Sequence, residues 1–415
     1  MMGPNTMAQT SKLRSSLPAL LAVTLAVFTQ SSCTTLALPN KPAIAQIATI
    51  DSTVRAAMVA TGARGLAVAV VDNGQVTFCR AYGVRNAANE PLLDDTVMYG
   101  ASLTKSAFAY LVMQLVDEGR LDLDRPIADY LPQSLPSYSS EADERAYAPW
   151  VGLEGDERWR KITARILLTH SAGFNNFAFM EPDGKLRIHF DPGARYAYSG
   201  AGILLLQFVL ERGLEFAVGA EMNRRIFEPN GMSRTSLIWR DDFRPNLADG
   251  FGIGGKVEPH DERSRVRTAG SMDTTINDMA QLAASIVRGD RLSAAARAEM
   301  VRPQLPIKTK TQFPSLQPEP EAAQFPNLFA ALGFIAFNGP QGPGFFKGGH
   351  NDTTGNTWVC VEARKRCVVI LSNDVRAEPA FPAIVHLIVG DVGVPWAWEY
   401  GPMPFWDATT NRRPR

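Results

Sequence analysis

A serine and a lysine three residues apart, Ser102 and Lys105, form the pair with the clearest chemical potential in this sequence. They follow Gly100, which favours a turn, and they open an amphipathic segment that we expect to be a helix over 103–121. Residues at this spacing lie on one face of a helix. A serine hydroxyl becomes a nucleophile when a neighbouring group takes its proton, and a lysine does so once burial or a second cation lowers its pKa. Helix N-terminal N–H groups also stabilise an oxyanion. The pair therefore predicts a nucleophile and its base, although serine is also a common helix cap.

Two later strings contain the further groups that such a serine needs. Tyr198 stands behind a Pro-Gly turn at the head of an apolar helix, where its phenol would be a second proton carrier. Lys347 lies in Phe345-Phe-Lys-Gly-Gly-His-Asn351, just before a predicted strand, and would place an ammonium group on the cleft wall. The two glycines let the backbone approach a ligand closely. Each string by itself also fits a structural role, as a packed aromatic residue or as a loop with a solvated lysine.

The elements around these strings place strands at both ends of the chain. A strand pair with a tight turn is expected over 65–82, and further strands over 328–337 and 358–372. Helical patterns dominate between them. The sequence therefore predicts an α+β fold: a central antiparallel sheet from both chain ends, flanked by helices, with a mostly helical subdomain inserted at about 120–328. The domain is expected to span 46–395, followed by a C-terminal tail at 396–415.

The N-terminus, residues 1–45, has the pattern of a signal peptide. Two basic residues precede an apolar run, 17–28, which is too short to span a membrane. A small-x-small cleavage site lies at 43–45. A lipoprotein-type site at Cys33, which would carry a lipid anchor, is the poorer match because glutamine stands just upstream. The protein is expected to be exported, as a periplasmic or secreted protein or as a lipoprotein.

Composition and cysteine spacing limit the possible partners. The chain has 415 residues with 42 basic and 42 acidic side chains, so charge gives no argument for nucleic acid. The cysteines and histidines show no metal spacing, and we expect neither metal nor cofactor. No other segment is long and apolar enough to cross a bilayer. Cys360 and Cys367 lie on two strands joined by a tight turn, where a disulfide and two separate apolar positions are equally plausible.

In their order along the chain, Ser102-x-x-Lys105, Tyr198-Ser-Gly200 and Lys347-Gly-Gly349 resemble the signature of serine β-lactamases and penicillin-binding proteins. The chain most resembles the class C β-lactamase-like serine hydrolases, a group that includes family VIII esterases and D-amino-acid peptidases. The resemblance spans about 50–392. Supporting strings are Leu167-Leu-Thr-His-Ser-Ala-Gly173 and Leu332-Gly-Phe334.

The resemblance implies a role for each matched residue. Ser102 would be the acylated nucleophile, and Lys105 and Tyr198 would share the general-base role. Lys347 would lie in the family's Lys-Thr-Gly element. The oxyanion hole would consist of the backbone N–H groups of Ser102 and of His350, the residue after Gly349.

Two glycines depart from the family pattern and bear on the substrate. Gly200 stands where a Tyr-x-Asn motif has asparagine, and Gly348 replaces the threonine of Lys-Thr-Gly. Both changes are expected to enlarge the pocket and make it less polar. We therefore expect an exported serine hydrolase that cleaves small-molecule esters, amides or peptides, as a carboxylesterase, a D-amino-acid peptidase or a weak β-lactamase. The alternative is a penicillin-binding or sensor-type protein that is acylated without turnover. The oligomeric state is left open.

Overall fold

The computed structural model describes residues 44–401, which contain ten α-helices and twelve β-strands. The helices are α1 Ile44–Thr61, α2 Leu103–Asp117, α3 Glu141–Ala146, α4 Ala164–Leu168, α5 Gly200–Gly213, α6 Val218–Met222, α7 Ile276–Arg288, α8 Ala294–Val301, α9 Phe381–Val389 and α10 Trp396–Tyr400. The strands are β1 Gly65–Asp72, β2 Gln75–Gly83, β3 Met98–Tyr99, β4 Gly250–Phe251, β5 Val257–Glu258, β6 Asp273–Thr274, β7 Leu305–Pro306, β8 Leu328–Ala330, β9 Ile335–Gly339, β10 Gly342–His350, β11 Gly355–Val361 and β12 Arg366–Ser372.

An eight-stranded antiparallel sheet lies at the centre, in the order β2-β1-β12-β11-β10-β9-β8-β7. Strands from both ends of the chain meet in it, because β1 pairs with β12. Apolar residues alternate along β1 between the two faces. Ala67 and Ala69 belong to the hydrophobic core that includes α2, α5 and α7, whereas Leu66 and Val68 belong to the core that includes α1 and α9. The predicted α+β architecture is confirmed.

Between α2 and β8 the regular elements are the helices α3 to α8 and strands of only two residues, joined by irregular segments. The subdomain expected at about 120–328 covers this stretch, and its status as a separate subdomain stays a prediction. Its strand β7 joins the edge of the large sheet beside β8. A proline-rich segment, 303–326, follows α8 and contains that edge strand. Proline is tolerated at this position because an edge strand leaves N–H groups unpaired on one side.

Two local expectations about strands need correction. Residues 345–350, expected to precede a strand, lie within β10 and pair with β11. The glycines there have low strand propensity, but pairing with a neighbouring strand overrides it. The strand expected over 328–337 is interrupted at Gly333, whose φ is 78°. This turn packs against α2, where the Ser106 hydroxyl donates to the Gly333 carbonyl at 2.7 Å.

The disulfide is present. Cys360 of β11 and Cys367 of β12 lie directly opposite each other in the ladder and are bonded, with their Cα atoms 4.1 Å apart. The remaining described cysteine, Cys79, is a free thiol whose pKa burial raises to about 12.

The predictions for the chain ends are only partly covered by the structure. The signal peptide and Cys33 lie outside the described residues, except that Ile44 and Ala45 begin α1. The first five residues of the expected tail form α10. Its Trp398 is buried in the hydrophobic core that also includes α1 and α9. Within 44–401 no helix combines the length and hydrophobicity needed to span a bilayer.

Candidate active site

Ser102 stands at the N-cap of α2, but its side chain makes no capping hydrogen bond. The turn before it is held by its neighbours: Gly100 N donates to the Met272 carbonyl at 2.8 Å, and Ala101 has a φ of 46°. Thr104 stabilises the turn, because its hydroxyl donates to the Ala101 carbonyl at 2.5 Å and accepts from Met272 N at 3.1 Å. The helix start is therefore stabilised by other residues, and the Ser102 hydroxyl is free for chemistry.

Lys105 lies one turn further along α2, against the serine. Its Nζ is 3.0 Å from Ser102 Oγ and also donates to the Ala269 carbonyl. The side chain is 1% exposed. Burial holds the pKa of Lys105 well below its usual value, the nearby charge of Lys347 lowers it further, and Glu399 partly opposes the shift. These effects favour the neutral amine, which is the form that accepts a proton.

Tyr198 approaches the same serine from the loop before α5. Its hydroxyl donates to Ser102 Oγ at 2.8 Å. The ring is held between His170, with centroids 4.5 Å apart, and Phe313, with centroids 5.2 Å apart. Burial raises the pKa of Tyr198 and outweighs its hydrogen bond to Ser102. The phenol is therefore a proton donor at neutral pH.

Lys347 is buried behind Tyr198. Its Nζ lies 5.0 Å from the centre of the Tyr198 ring and donates to the Gly348 carbonyl at 2.8 Å. Burial lowers the pKa of Lys347, and the carboxylate of Glu399 partly opposes this. The expectation that Lys347 would stand on the cleft wall is not met, because the residues that line the cavity here are Gly348 and Glu399. Its ammonium group thus lies against the Tyr198 ring, and its charge lowers the pKa of Lys105.

Gly349 lies beside the start of α2 because pairing of β10 with β9 ends at Phe346, which leaves that edge of β10 without a strand partner in the described chain. A Cβ at position 349 would stand 3.0 Å from Ser102 N. That is the distance at which an oxyanion would be held. Only glycine leaves this space empty. The neighbouring His350 lines the cavity, and its Nδ1 is 3.0 Å from the Glu378 carboxylate. Burial opposes protonation of His350, but Glu378 outweighs it and raises the pKa.

Neither departing glycine enlarges the pocket, which corrects the expectation from the sequence. The Phe177 ring fills the space that a side chain at Gly200 would occupy. The Glu399 carboxylate fills the corresponding space at Gly348. The site is therefore no less polar at position 348, since a carboxylate stands where the family pattern has a hydroxyl.

The cavity in front of Ser102 has a volume of about 540 Å³. One wall carries Arg263, Arg265 and Arg267, with Asp261 and Glu262 beside them. The proline-rich segment contributes Gln312 and Phe313. Among residues 44–401, no cluster of metal-binding side chains is present.

Several residues of the site were missed or underestimated from the sequence. His170, which the sequence indicates only as part of a supporting string, accepts a hydrogen bond at Nδ1 from Ser199 N at 3.2 Å, and its ring packs on Tyr198. Burial and the two lysines hold the pKa of His170 well below its usual value, so it is neutral. Phe177, Gln312 and Glu399 belong to no motif, and only the folded chain brings them to the cavity.

The chain belongs to the Beta-lactamase family, whose family model matches residues 50–389. It is 27% identical over 228 residues to a lovastatin esterase of Penicillium rubens, covering 48% of this chain and 56% of that protein. It is 26% identical over 218 residues to a beta-lactamase of Pseudomonas fluorescens, covering 50% of this chain and 55% of that protein. The matches thus span about half the length of these curated relatives.

The fold is also found in solved structures of low sequence identity to this chain. The structure of the D-alanine carboxypeptidase AmpC of Burkholderia cenocepacia superposes with a TM-score of 0.65, covering 83% of this chain and 99% of that one at 17% identity. The resemblance inferred from the three motifs is confirmed at the level of family and fold.

Proposed function

We propose that this protein is a serine hydrolase that forms an acyl-enzyme on Ser102 and acts on esters. One observation carries the proposal: two proton carriers converge on one serine oxygen, Lys105 Nζ at 3.0 Å and Tyr198 OH at 2.8 Å. The serine stands at a helix N-terminus beside the space that Gly349 keeps empty. Nucleophile, base, acid and oxyanion site are thus within reach of one carbonyl group.

Acylation begins when the neutral amine of Lys105 takes the proton of Ser102. Oγ attacks the substrate carbonyl, and the developing oxyanion receives hydrogen bonds from the N–H groups of Ser102 and His350. The phenol of Tyr198 is protonated before this step. It gives its proton to the leaving alcohol and then takes a proton from Lys105. Deacylation follows these steps in reverse, with water in place of the alcohol. Lys347 contributes by opposing protonation of Lys105.

Ester hydrolysis is favoured among the possible activities. Phe177 occupies the space beside Gly200 and Glu399 the space beside Gly348, so neither position offers the groups expected to bind a β-lactam amide or carboxylate. The similarity to a lovastatin esterase supports the same choice. We further propose that the protein is exported, on the strength of the N-terminal signal-peptide pattern and of the disulfide, which persists in an oxidising compartment.

Turnover of p-nitrophenyl butyrate tests the proposal. The wild type should show continuous turnover, Ser102→Ala should show none, and Ser264→Ala, a cavity serine away from the proton carriers, should retain it. A single stoichiometric burst without further turnover would instead identify a protein that is acylated and not released, as in the sensor-type alternative. Turnover that survives Ser102→Ala would refute the assignment of the nucleophile.

A further inference from the structure

The carboxylate of Glu399 is an unexpected charged group in the cavity. It comes from α10, near the end of the described chain, and the residue is only 3% exposed. Gln312 donates to its Oε2. Its Oε1 lies against Gly348, where any side chain on residue 348 would overlap it. Gly348 and Glu399 therefore form a matched pair, in which the missing side chain makes room for the carboxylate.

Glu399 determines the sign of the charge on its side of the cavity. The ammonium of Lys347 is turned toward the Gly348 carbonyl and does not reach the cavity surface. His350, the other titratable group on this side, is matched by Glu378. A ligand that reaches this side thus meets a buried carboxylate and no uncompensated cation at the surface. Three arginines also line the cavity, of which Arg263 pairs with Asp261 and Asp273, whereas Glu262 pairs with Arg244. Arg265 and Arg267 lie in a different segment from Gly348 and Glu399, so the proposal concerns only the side that Glu399 lines.

This is also the side from which the leaving group would be protonated. The charge of Glu399 acts on all three proton-carrying groups. It adds to the raised pKa of Tyr198, and it partly opposes the lowering of the pKa of Lys105 and Lys347 by burial. The proposed function assigns Tyr198 to the leaving alcohol. Tyr198 and Glu399 also line the same cavity, where Phe313 packs on Tyr198 and the adjacent Gln312 donates to Glu399. We therefore expect the alcohol part of an ester to lie next to Glu399.

We propose that Glu399 sets the charge specificity of the leaving-group side, so that esters of neutral or cationic alcohols are accepted and esters of alcohols bearing a carboxylate are rejected. The proposal rests on the proposed function for the identity of that side. Its physical basis is that like charges brought together in a desolvated site repel strongly, whereas a cation there gains a counter-ion.

Three butyrate esters test the proposal: those of phenol, 3-hydroxybenzoate and 3-hydroxyphenyltrimethylammonium. In the wild type, kcat/KM should rank the cationic ester first and the anionic ester last. Glu399→Gln keeps the shape and removes the charge, and it should raise the anionic-to-cationic ratio of kcat/KM by at least about tenfold. If Glu399→Gln does not fold, Glu399→Met gives the same comparison. Glu299→Gln removes a carboxylate that pairs with Arg165 and Arg302 and does not line the cavity, and it should leave the ratio unchanged.

A second readout separates this proposal from the proposed function. Binding of the two charged alcohols themselves, followed by calorimetry, requires no turnover. The wild type should bind 3-hydroxyphenyltrimethylammonium more tightly than 3-hydroxybenzoate, and Glu399→Gln should lose that preference. An unchanged preference in Glu399→Gln would overturn the role of Glu399 even in an active esterase. An inactive protein with the predicted binding preference would overturn the esterase assignment alone.

Discussion

Replacement of Gly349 by alanine adds one carbon atom, Cβ, beside the proposed oxyanion site and so tests the position of that site. The new Cβ would stand 3.0 Å from Ser102 N, 3.0 Å from Leu103 N and 3.1 Å from the Gly100 carbonyl oxygen. We expect it to crowd the oxyanion site beside Ser102 N. Loss of one oxyanion donor costs about 10²–10³ in kcat, or about 2.7–4 kcal/mol, and we expect a blocked site to lose at least this much. The contacts are tight but not overlapping, so the expected cost in stability is smaller, about 1–3 kcal/mol.

The assay is the acylation rate with p-nitrophenyl butyrate, measured by stopped flow alongside the free energy of unfolding. Gly202→Ala is the matched control, since a Cβ there would meet its nearest neighbours at 3.6 Å and alanine favours the interior of α5. The control should acylate at the wild-type rate. A folded Gly349→Ala variant that acylates within about threefold of the wild type would refute the placement of the oxyanion site, because loss of even one donor costs far more.

Three further outcomes follow from the same geometry. Lys347→Met removes a charge that disfavours protonation of Lys105, so the pKa of Lys105 should rise and the acidic limb of the kcat/KM profile should move to higher pH; a shift to lower pH would contradict this. Tyr198→Phe removes the proton donor, so kcat should fall by about 10²–10⁴ with alkyl esters and much less with p-nitrophenyl esters, whose leaving group needs no proton. Equal losses with both would argue against that role. The disulfide between Cys360 and Cys367, at a sequence separation of 7, should contribute about 2.5 kcal/mol to the free energy of unfolding, as measured by denaturation of the double alanine variant.

The parts of the site that could be predicted from the sequence are those encoded locally. Ser102 and Lys105 share one helical turn, and their contact follows from helix geometry. The α+β architecture follows from strand patterns at both chain ends. The order of the three motifs was sufficient to indicate the family, even though each motif is weak by itself.

The parts that could not be predicted depend on packing between distant segments. Gly348 and Glu399 are 51 positions apart by their numbers, and nothing in either segment indicates that a carboxylate fills the space left by the glycine. The same holds for Phe177 and Gly200. A glycine at a motif position therefore does not imply an empty space in the folded protein. The burial of Lys347 likewise cannot be read from the sequence pattern, since it depends on the segments that pack around β10.

The most direct test of the central claim is the mass of the intact protein quenched during turnover of p-nitrophenyl butyrate, with the modified peptide located by fragmentation. One butyryl group should be added to Ser102 and released as turnover ends, and Ser102→Ala should show no addition. A butyryl group on another residue, or continuous turnover with no serine adduct in either the wild type or a variant with slowed deacylation, would contradict it.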